Sequence, residues 1–429
     1  MKVLVLGATG LIGSAVLARL AAEGHEVVAA ARHPPAAHLS GATWIRFDLS
    51  NVSHSSDWRR VLTGIDAVVN CVGVLQDGPA GSTEAVHASG PAALFEACRN
   101  HGVRRVVHLS AVGVDRATPS QFSRTKLKGD EALMSLDLDW VILRPSVVVG
   151  RAAYGGSALI RGLAAWSLLP VMPQTAPLHI VHLDDLVRAI VFFVRPDSPS
   201  RVAVEVVGPK PYAFEDAVAV FRQWMHWRPA HRTRVPIWLA SIAYRLGDIA
   251  GWFGWQPPVR STAQNEMVRG AIGDPSRLTE LTGIKPVSLE AGLAREPVSV
   301  QERWFARLYL LKPLVFGVFA LFWISTGIVS LGPGRERGIE LVMSGGTSHT
   351  VALLATLSGG LADTVIGILI AFRRTCRIGL YAAFVISITY ATIGTILVPW
   401  LWYDPLGPML KISPIIVLNL VALAILDDR

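Results

Sequence analysis

Sulfur, acid and leader-like sequence are scarce in this 429-residue chain. Its three cysteines, Cys71, Cys98 and Cys376, lie far apart, which argues against a disulfide framework and leaves no metal site to expect. Asp and Glu total 32 against 40 Lys and Arg, a formal charge of +8. A nucleic-acid partner would call for a basic helix or an aromatic-interleaved basic sheet; neither pattern occurs, so no nucleic acid is expected. Internal repeats and low-complexity tracts are missing too. No secretory leader precedes the first apolar run, since Met1-Lys2 lead straight into it, and the N-terminal part is expected to remain cytoplasmic. Apolar residues, by contrast, make up 51% of the chain, and mean hydropathy is +0.42. Most of that excess falls in residues 313–426, where the long charge-free runs are. The length predicts two or three domains.

The opening residues, MKVLVLGATGLIG, place glycines directly after a short apolar strand. Gly7, Gly10 and Gly13 follow the spacing G-x-x-G-x-x-G, and residues 14–22 continue as a helix that Gly24 ends. The first glycine permits a tight turn, the second lets backbone approach a pyrophosphate, and the third lets helix and strand pack closely. The helix start offers unpaired N–H groups to the anion. Strand before and helix after make a dinucleotide cradle the expected reading. Further apolar strands are predicted at 26–31, 43–47, 67–72, 105–109 and 140–143, with helices between most of them, including 84–100 and 120–135. That alternation predicts an α/β fold, a doubly wound parallel sheet of Rossmann type.

The second predicted strand ends Ala29-Ala30-Ala31-Arg32-His33, without the carboxylate that usually meets an NAD ribose. Arg32 suits a 2′-phosphate, so NADP is favoured over NAD. Asp48 is able either to accept from an adenine amine or to cap a helix. Cys71 sits in an apolar strand, where a buried filler role fits.

Several short runs recur in order: Gly7 to Gly13 (GATGLIG), Asp48-Leu49, Asn70-Cys71-Val72-Gly73, His108-Leu109-Ser110-Ala111 and Leu143-Arg144-Pro145-Ser146. Together they resemble the atypical short-chain dehydrogenase/reductase family, within it the group of the complex I nucleotide-binding accessory subunit and NmrA-like proteins. Residues 178–186 (LHIVHLDDL) and Val206-Val207-Gly208-Pro209 extend the likeness to about residue 295. The resemblance implies that Gly7, Thr9, Gly10, Leu11, Ile12, Gly13, Arg32, Asp48, Leu49, Cys71, Val72, Gly73, Lys126 and Pro145 bind the dinucleotide. Redox members use a Tyr-x-x-x-Lys pair on one helical face. Lysine there lowers the tyrosine pKa and tyrosine exchanges a proton with the substrate, while an upstream serine positions it. Here Lys126 stands at the lysine position and Ser110 at the serine position, but Phe122 replaces the tyrosine.

Phenylalanine has no proton to give. Either Ser110, Ser123 or Lys126 supplies one, or the acceptor needs none from that position, or the domain binds dinucleotide without turning it over. Residues 1–150 are thus expected to form the nucleotide-binding core and residues 151–300 a small substrate lobe. In the lobe, Asp184 and Asp185 open a helix to about residue 194, where N-capping is their expected role. Residues 236–255 are apolar and carry Trp238, Trp252 and Trp255, preceded by Arg222, Arg228, Arg232 and Arg234. An interfacial membrane element and a lid or core helix fit that stretch equally.

Residues 301–429 are predicted to form an all-α transmembrane four-helix bundle, with spans at about 313–331, 350–372, 378–398 and 410–426. The pattern resembles the DoxX-like membrane family. Arg303, Arg307 and Lys312 precede the first span, and Arg373, Arg374 and Arg377 fill the turn between the second and third. The positive-inside rule then puts both termini in the cytoplasm of a bacterial-type inner membrane. Asp363 is the acidic residue inside a span, a candidate quinone or proton site or a hydrogen-bonded structural group. Two functions are expected to compete. One is a membrane-anchored NAD(P)-dependent oxidoreductase acting on a lipophilic quinone or isoprenoid, concentrated by its tether to the bilayer. The other is a non-catalytic dinucleotide-binding structural or regulatory protein.

Overall fold

A computed structural model describes residues 1–36, 41–51, 58–78 and 81–427. Contacts divide the chain into one unit of residues 1–248 with 257–307 and a second of residues 249–256 with 308–429. The first unit opens with β1 (Lys2–Leu6), α1 (Leu11–Ala22), β2 (Glu26–Ala31), β3 (Thr43–Arg46), α2 (Arg59–Leu62) and β4 (Ala67–Asn70). It continues through α3 (Gly90–Asn100), β5 (Arg105–Leu109), α4 (Gln121–Met134), β6 (Asp139–Pro145), β7 (Val147–Val149) and α5 (Gly155–Ala164). Next come β8 (Leu168–Val171), β9 (Leu178–His182), α6 (Leu183–Val194), β10 (Val202–Val206), β11 (Pro211–Tyr212), α7 (Phe214–Trp224) and β12 (His231–Arg234). Helices α8 (Ile237–Trp252), α9 (Ser261–Arg269), α10 (Ser276–Thr282), α11 (Leu289–Ala294) and α12 (Val300–Tyr309) follow.

Seven strands form one sheet in the order β10-β6-β5-β4-β1-β2-β3, and every neighbouring pair is parallel. Runs such as Val3-Leu4-Val5-Leu6 have apolar side chains on both faces, which is what a sheet covered on both sides requires. Val3, Val5, Val69 and Val107 pack on one face with α1 and α6 residues such as Leu20 and Ile190. Leu4, Leu6, Val68 and Val106 pack on the other with Leu94 and Phe95 of α3. The doubly wound fold predicted above is the one observed. Strand order reverses between β1 and β4, and the carboxyl ends of those strands make the crevice where such sheets bind ligands.

The remaining strands form a three-stranded sheet, β11-β9-β7, and a pair, β12-β8, packed around Phe214, Phe221 and Leu293. Asp184 and Asp185 do not cap α6. The cap is His182, whose ring accepts from the Asp184 N–H, while both carboxylates fall within the first turn. Asp185 is buried and accepts from the Val287 N–H at 2.9 Å, tying α6 to a later loop instead.

The second unit holds α13 (Leu311–Leu331), α14 (Arg335–Ser344), α15 (His349–Ala371), α16 (Cys376–Leu397) and α17 (Ile412–Ile425). Among the described residues, α13, α15 and α16 are long and apolar enough to cross a membrane. The fourth expected span is a helix of 14 residues, about 21 Å long at 1.5 Å per residue, short of a hydrocarbon core of roughly 30 Å. Pro405, Gly407 and Pro408 break the chain before it, with Gly407 at φ 59°, so residues 406–410 turn rather than extend the helix. α13 and α15 pack almost backbone to backbone: a Cβ on Gly327 would lie 2.6 Å from the Gly360 carbonyl oxygen, and one on Gly367 2.6 Å from the Ile324 nitrogen. Small residues permit that approach between apolar helices.

Candidate functional site

The glycine loop leaves β1 with its Gly7 N–H donating to the Ala30 carbonyl at 3.1 Å and its Gly10 N–H donating to the Gly7 carbonyl at 2.9 Å. Gly7 has φ 73°, a conformation that L side chains rarely adopt. A Cβ on Gly13 would sit 2.2 Å from the Gly7 oxygen, so close packing of α1 on the loop needs glycine there. α1 starts at Gly10 without a side-chain cap, leaving its first N–H groups available to an anion. Thr9 is exposed and Leu11 and Ile12 are half-buried beside that entrance. The loop fits a pyrophosphate.

At the carboxyl edge of β2, register pairs Ala31 with Arg46 of β3. That places Arg46 across from the residue preceding Arg32. Arg32, Arg46, His33, Phe47, Asp48 and Ser50 line an open pocket of about 590 Å³. Two guanidinium groups at this edge suit a 2′-phosphate. Arg46 escaped the sequence reading because its relevance appears only once the β2–β3 register is known. Asp48 accepts from the Ser50 N–H at 3.0 Å, the Ser50 hydroxyl at 2.7 Å and the Asn51 amide at 3.2 Å. Its carboxylate therefore holds the turn at Leu49–Asn51, the capping alternative, while leaving it on the pocket wall.

β4 ends at Asn70, one residue earlier than Cys71, which is half-buried on the loop after it. The Cys71 carbonyl would touch a Cβ on Gly7 at about 3.2 Å. Gly73 follows, and a Cβ there would lie 3.5 Å from Lys126 Nζ. Lys126 is 4% exposed and donates to the Leu109 carbonyl at 2.8 Å. Burial lowers its pKa to about 8, against a smaller opposing pull from Asp130. Ser110, buried just beyond β5, and Pro145, at the end of β6, complete the group. Phe122 lies one turn before Lys126 on α4 and meets the His87 ring edge-on at 5.5 Å. Ser123 is already engaged: its hydroxyl lies 2.9 Å from Glu266 and 3.2 Å from the Ser120 carbonyl.

Behind these residues lies a buried polar cluster that the sequence did not reveal. His87 stands in a π-helical turn, Ala85–Ser89, where a uniform helix over 84–100 was predicted. Its Nε2 accepts from the Val74 N–H at 3.1 Å, so its Nδ1 carries the proton, toward the Thr125 hydroxyl at 3.0 Å. Burial first, then Lys126 and His108, hold this ring far below the usual histidine range. Asp130, one turn beyond Lys126, contacts Arg144 at 3.0 Å and faces His108 at 3.8 Å; Arg144 also pairs with Asp115. Burial raises Asp130 to about 6, opposed by Arg144, the Ser110 hydroxyl and Lys126. His108 lies 3.2 Å from the Asn70 amide. Isolated polar letters inside apolar strands carry no pattern that announces such a network.

In the second unit Asp363 is 5% exposed and accepts from the Tyr390 hydroxyl at 2.9 Å. Asn419 of α17 donates to the Leu380 carbonyl at 3.2 Å. These polar contacts lie among the apolar side chains of the bundle.

Comparison with known proteins agrees with this division. An NAD(P)H-binding family matches residues 7–161, and the DoxX-like family matches residues 320–420. An uncharacterized Mycobacterium tuberculosis protein is 28% identical over 207 residues, 47% of this chain; the chain spans only 22% of that relative's length. The mitochondrial NADH-ubiquinone oxidoreductase 40 kDa subunit of Neurospora crassa is 26% identical over 66% of this chain and 76% of its own. A 3-diazoavenalumate denitrifying reductase from Streptomyces is 29% identical over 69% of this chain and 100% of its own length. Among solved structures, UDP-glucuronic acid 4-epimerase from Bacillus cereus, in complex with UDP-glucuronic acid and NAD, superposes with a TM-score of 0.53 at 20% identity. That match covers 72% of this chain and 100% of the epimerase, and it speaks to the fold.

Proposed function

From a chain that joins an NAD(P)-binding Rossmann domain to a DoxX-like membrane domain, we propose a membrane-anchored oxidoreductase. It uses NADP in preference to NAD and acts on a lipophilic acceptor of quinone or isoprenoid type. The observation that carries the reading is the buried Lys126 ammonium between Gly73 and the Leu109 carbonyl, at the carboxyl edge of the sheet. The glycine loop holds the pyrophosphate, and Arg32 and Arg46 hold the 2′-phosphate. When bound, the nicotinamide supplies a hydride.

Reduction of a quinone consumes that hydride and a proton. Phe122 withholds the usual phenol, but Lys126 at about 8 is a stronger acid than an ordinary phenol near 10. It is therefore able to replace tyrosine as the proton source, with Ser110 positioning the acceptor oxygen. Ser123 is a poor candidate because Glu266 and Ser120 occupy it. The cytoplasmic placement of the nucleotide domain belongs to this proposal; the basic residues at the span ends support it.

A second reading rests on Phe122 itself: the domain binds the dinucleotide and signals its occupancy without oxidising it. Both are tested on purified full-length protein in lipid nanodiscs. NADPH and NADH binding is measured by fluorescence, and dihydronicotinamide absorbance is then followed with a panel of quinones. Turnover that is lost in Lys126→Met supports the enzyme. Tight NADPH binding with no turnover across the panel, and none gained in Phe122→Tyr, refutes it in favour of the regulatory reading.

A further inference from the structure

Helix α8 carries an apolar face that the cores of the first unit do not absorb. Its buried positions are Ala240, Tyr244 and Gly247, and Gly247 sits so close to the Val259 carbonyl that a Cβ would be 1.7 Å from its oxygen. On the other side Trp238, Ile242, Leu246, Ile249 and Trp252 are 65%, 45%, 60%, 43% and 83% exposed. Their spacing of four, four, three and three residues makes one stripe along the helix. An exposed apolar patch of this extent marks a protein or membrane contact.

Two further features identify the occupant. Arg234, on the strand leading into α8, is exposed, Arg232 beside it pairs with Asp216 at 2.6 Å, and exposed Arg245 falls within the arc of the stripe itself, so cations stand at the start of the apolar stripe and inside it. The last turn of α8, from Ile249, and the chain directly after it belong to the membrane unit. There the Trp255 indole N–H donates to the Ala371 carbonyl at 2.8 Å, and its ring packs on Phe316 at 4.8 Å. The Arg373 N–H donates to the Phe253 carbonyl at 2.9 Å. Residues 253–255 are thereby fixed at the ends of α13 and α15 that carry Lys312, Arg373 and Arg374. That is where headgroups meet a membrane bundle, and the stripe of α8 is continuous in sequence with it.

We propose that α8 is an in-plane membrane helix: its stripe lies in the headgroup–acyl boundary, with Arg234 and the snorkelling Arg245 meeting anionic lipid phosphates. Trp238 and Trp252 anchor its two ends. The helix docks whether or not the first unit transfers hydride, so this inference stands apart from the function proposed above.

The test uses the full-length chain in liposomes of phosphatidylcholine with phosphatidylglycerol. Nitroxide labels are placed singly at Trp238→Cys and Leu246→Cys, with Glu131→Cys on α4 as the water-exposed reference. The signal of the unsubstituted chain, which retains Cys71, Cys98 and Cys376, is subtracted. Power saturation then compares accessibility to oxygen, which partitions into lipid, with that to a water-soluble nickel chelate. The oxygen-to-nickel ratio should be several-fold higher at both α8 positions than at Glu131, and should fall when phosphatidylglycerol is omitted. Equal ratios at all three positions would overturn the proposal. Dipolar broadening between labels on two chains would also overturn it, by assigning the stripe to a second copy.

Discussion

Replacing Lys126 with methionine should make the nucleotide-binding unit more stable while impairing its site. The ammonium is buried, and its pKa falls from 10.5 to about 8. At about 1.4 kcal/mol per unit, the folded state bears a penalty of roughly 3 kcal/mol for keeping it charged. Losing the charged hydrogen bond to the Leu109 carbonyl takes back about 2 kcal/mol, leaving a net gain of about 1. For a unit of residues 1–248 with 257–307, whose unfolding entropy is about 0.6 kcal/mol/K, that raises the melting temperature by roughly 2 °C. The pH dependence gives an independent check. Below about 8 both folded and unfolded chains hold the proton, so the penalty is complete. Between about 8 and 10.5 the unfolded chain holds more protons, so native stability rises with pH and the penalty disappears by the top of that window. The methionine variant lacks this contribution, and its advantage over the native chain should therefore shrink above pH 8. Scanning fluorimetry of tryptophan emission at neutral and alkaline pH reads this, with the relevant transition identified by its shift on adding NADPH. A variant less stable than the native chain at neutral pH would refute the reasoning, as would an advantage unchanged above pH 8.

Gly13→Ala must displace α1 from the Gly7 oxygen, and calorimetry should show NADPH affinity reduced about tenfold or more, equivalent to about 1.4 kcal/mol. Unchanged affinity would remove the loop from the site. Arg46→Ala deletes a charged contact worth about 1.5–3 kcal/mol, so NADPH binding should weaken while NADH binding holds; equal losses would refute the 2′-phosphate assignment. Asp363→Asn keeps an acceptor for Tyr390 and should leave the bundle's melting temperature within a degree or two, whereas Asp363→Leu strands that hydroxyl at a cost of about 1–2 kcal/mol. If Asp363 also handles a substrate proton, the asparagine variant loses quinone turnover without losing stability; retained turnover would confine Asp363 to a structural role.

The parallel sheet and the glycine loop were legible because their signals are local. Apolar strand, glycine spacing and helix follow one another within thirteen residues, and near-continuous valine runs mark strands covered on both faces. The membrane helices were legible for the same reason, except where Pro405, Gly407 and Pro408 shortened the last. What the sequence concealed is set by pairing between distant segments. Arg46 joins Arg32 through the β2–β3 register, and Asp130 meets Arg144 and His108 only after α4 packs on the sheet. The role of Asp185 was misread because its partner, the Val287 N–H, lies 102 residues away. Phe122, four residues before Lys126, was equally legible as a letter; that it marks a missing phenol belongs to the function proposed above.

The π-helical turn at Ala85–Ser89 has a consequence for how the chain tolerates length changes. Such a turn accommodates one residue more than an α-helix of the same rise. Deleting a single residue upstream, at Glu84 for instance, would let the segment relax into ordinary α-helix continuous with α3. At 3.6 residues per turn, one residue of slip rotates a side chain by about 100°, enough to swing His87 away from Val74 and Thr125. The shortened chain would lose the strut between the Gly73 loop and α4. A change of length here thus reaches the site through His87.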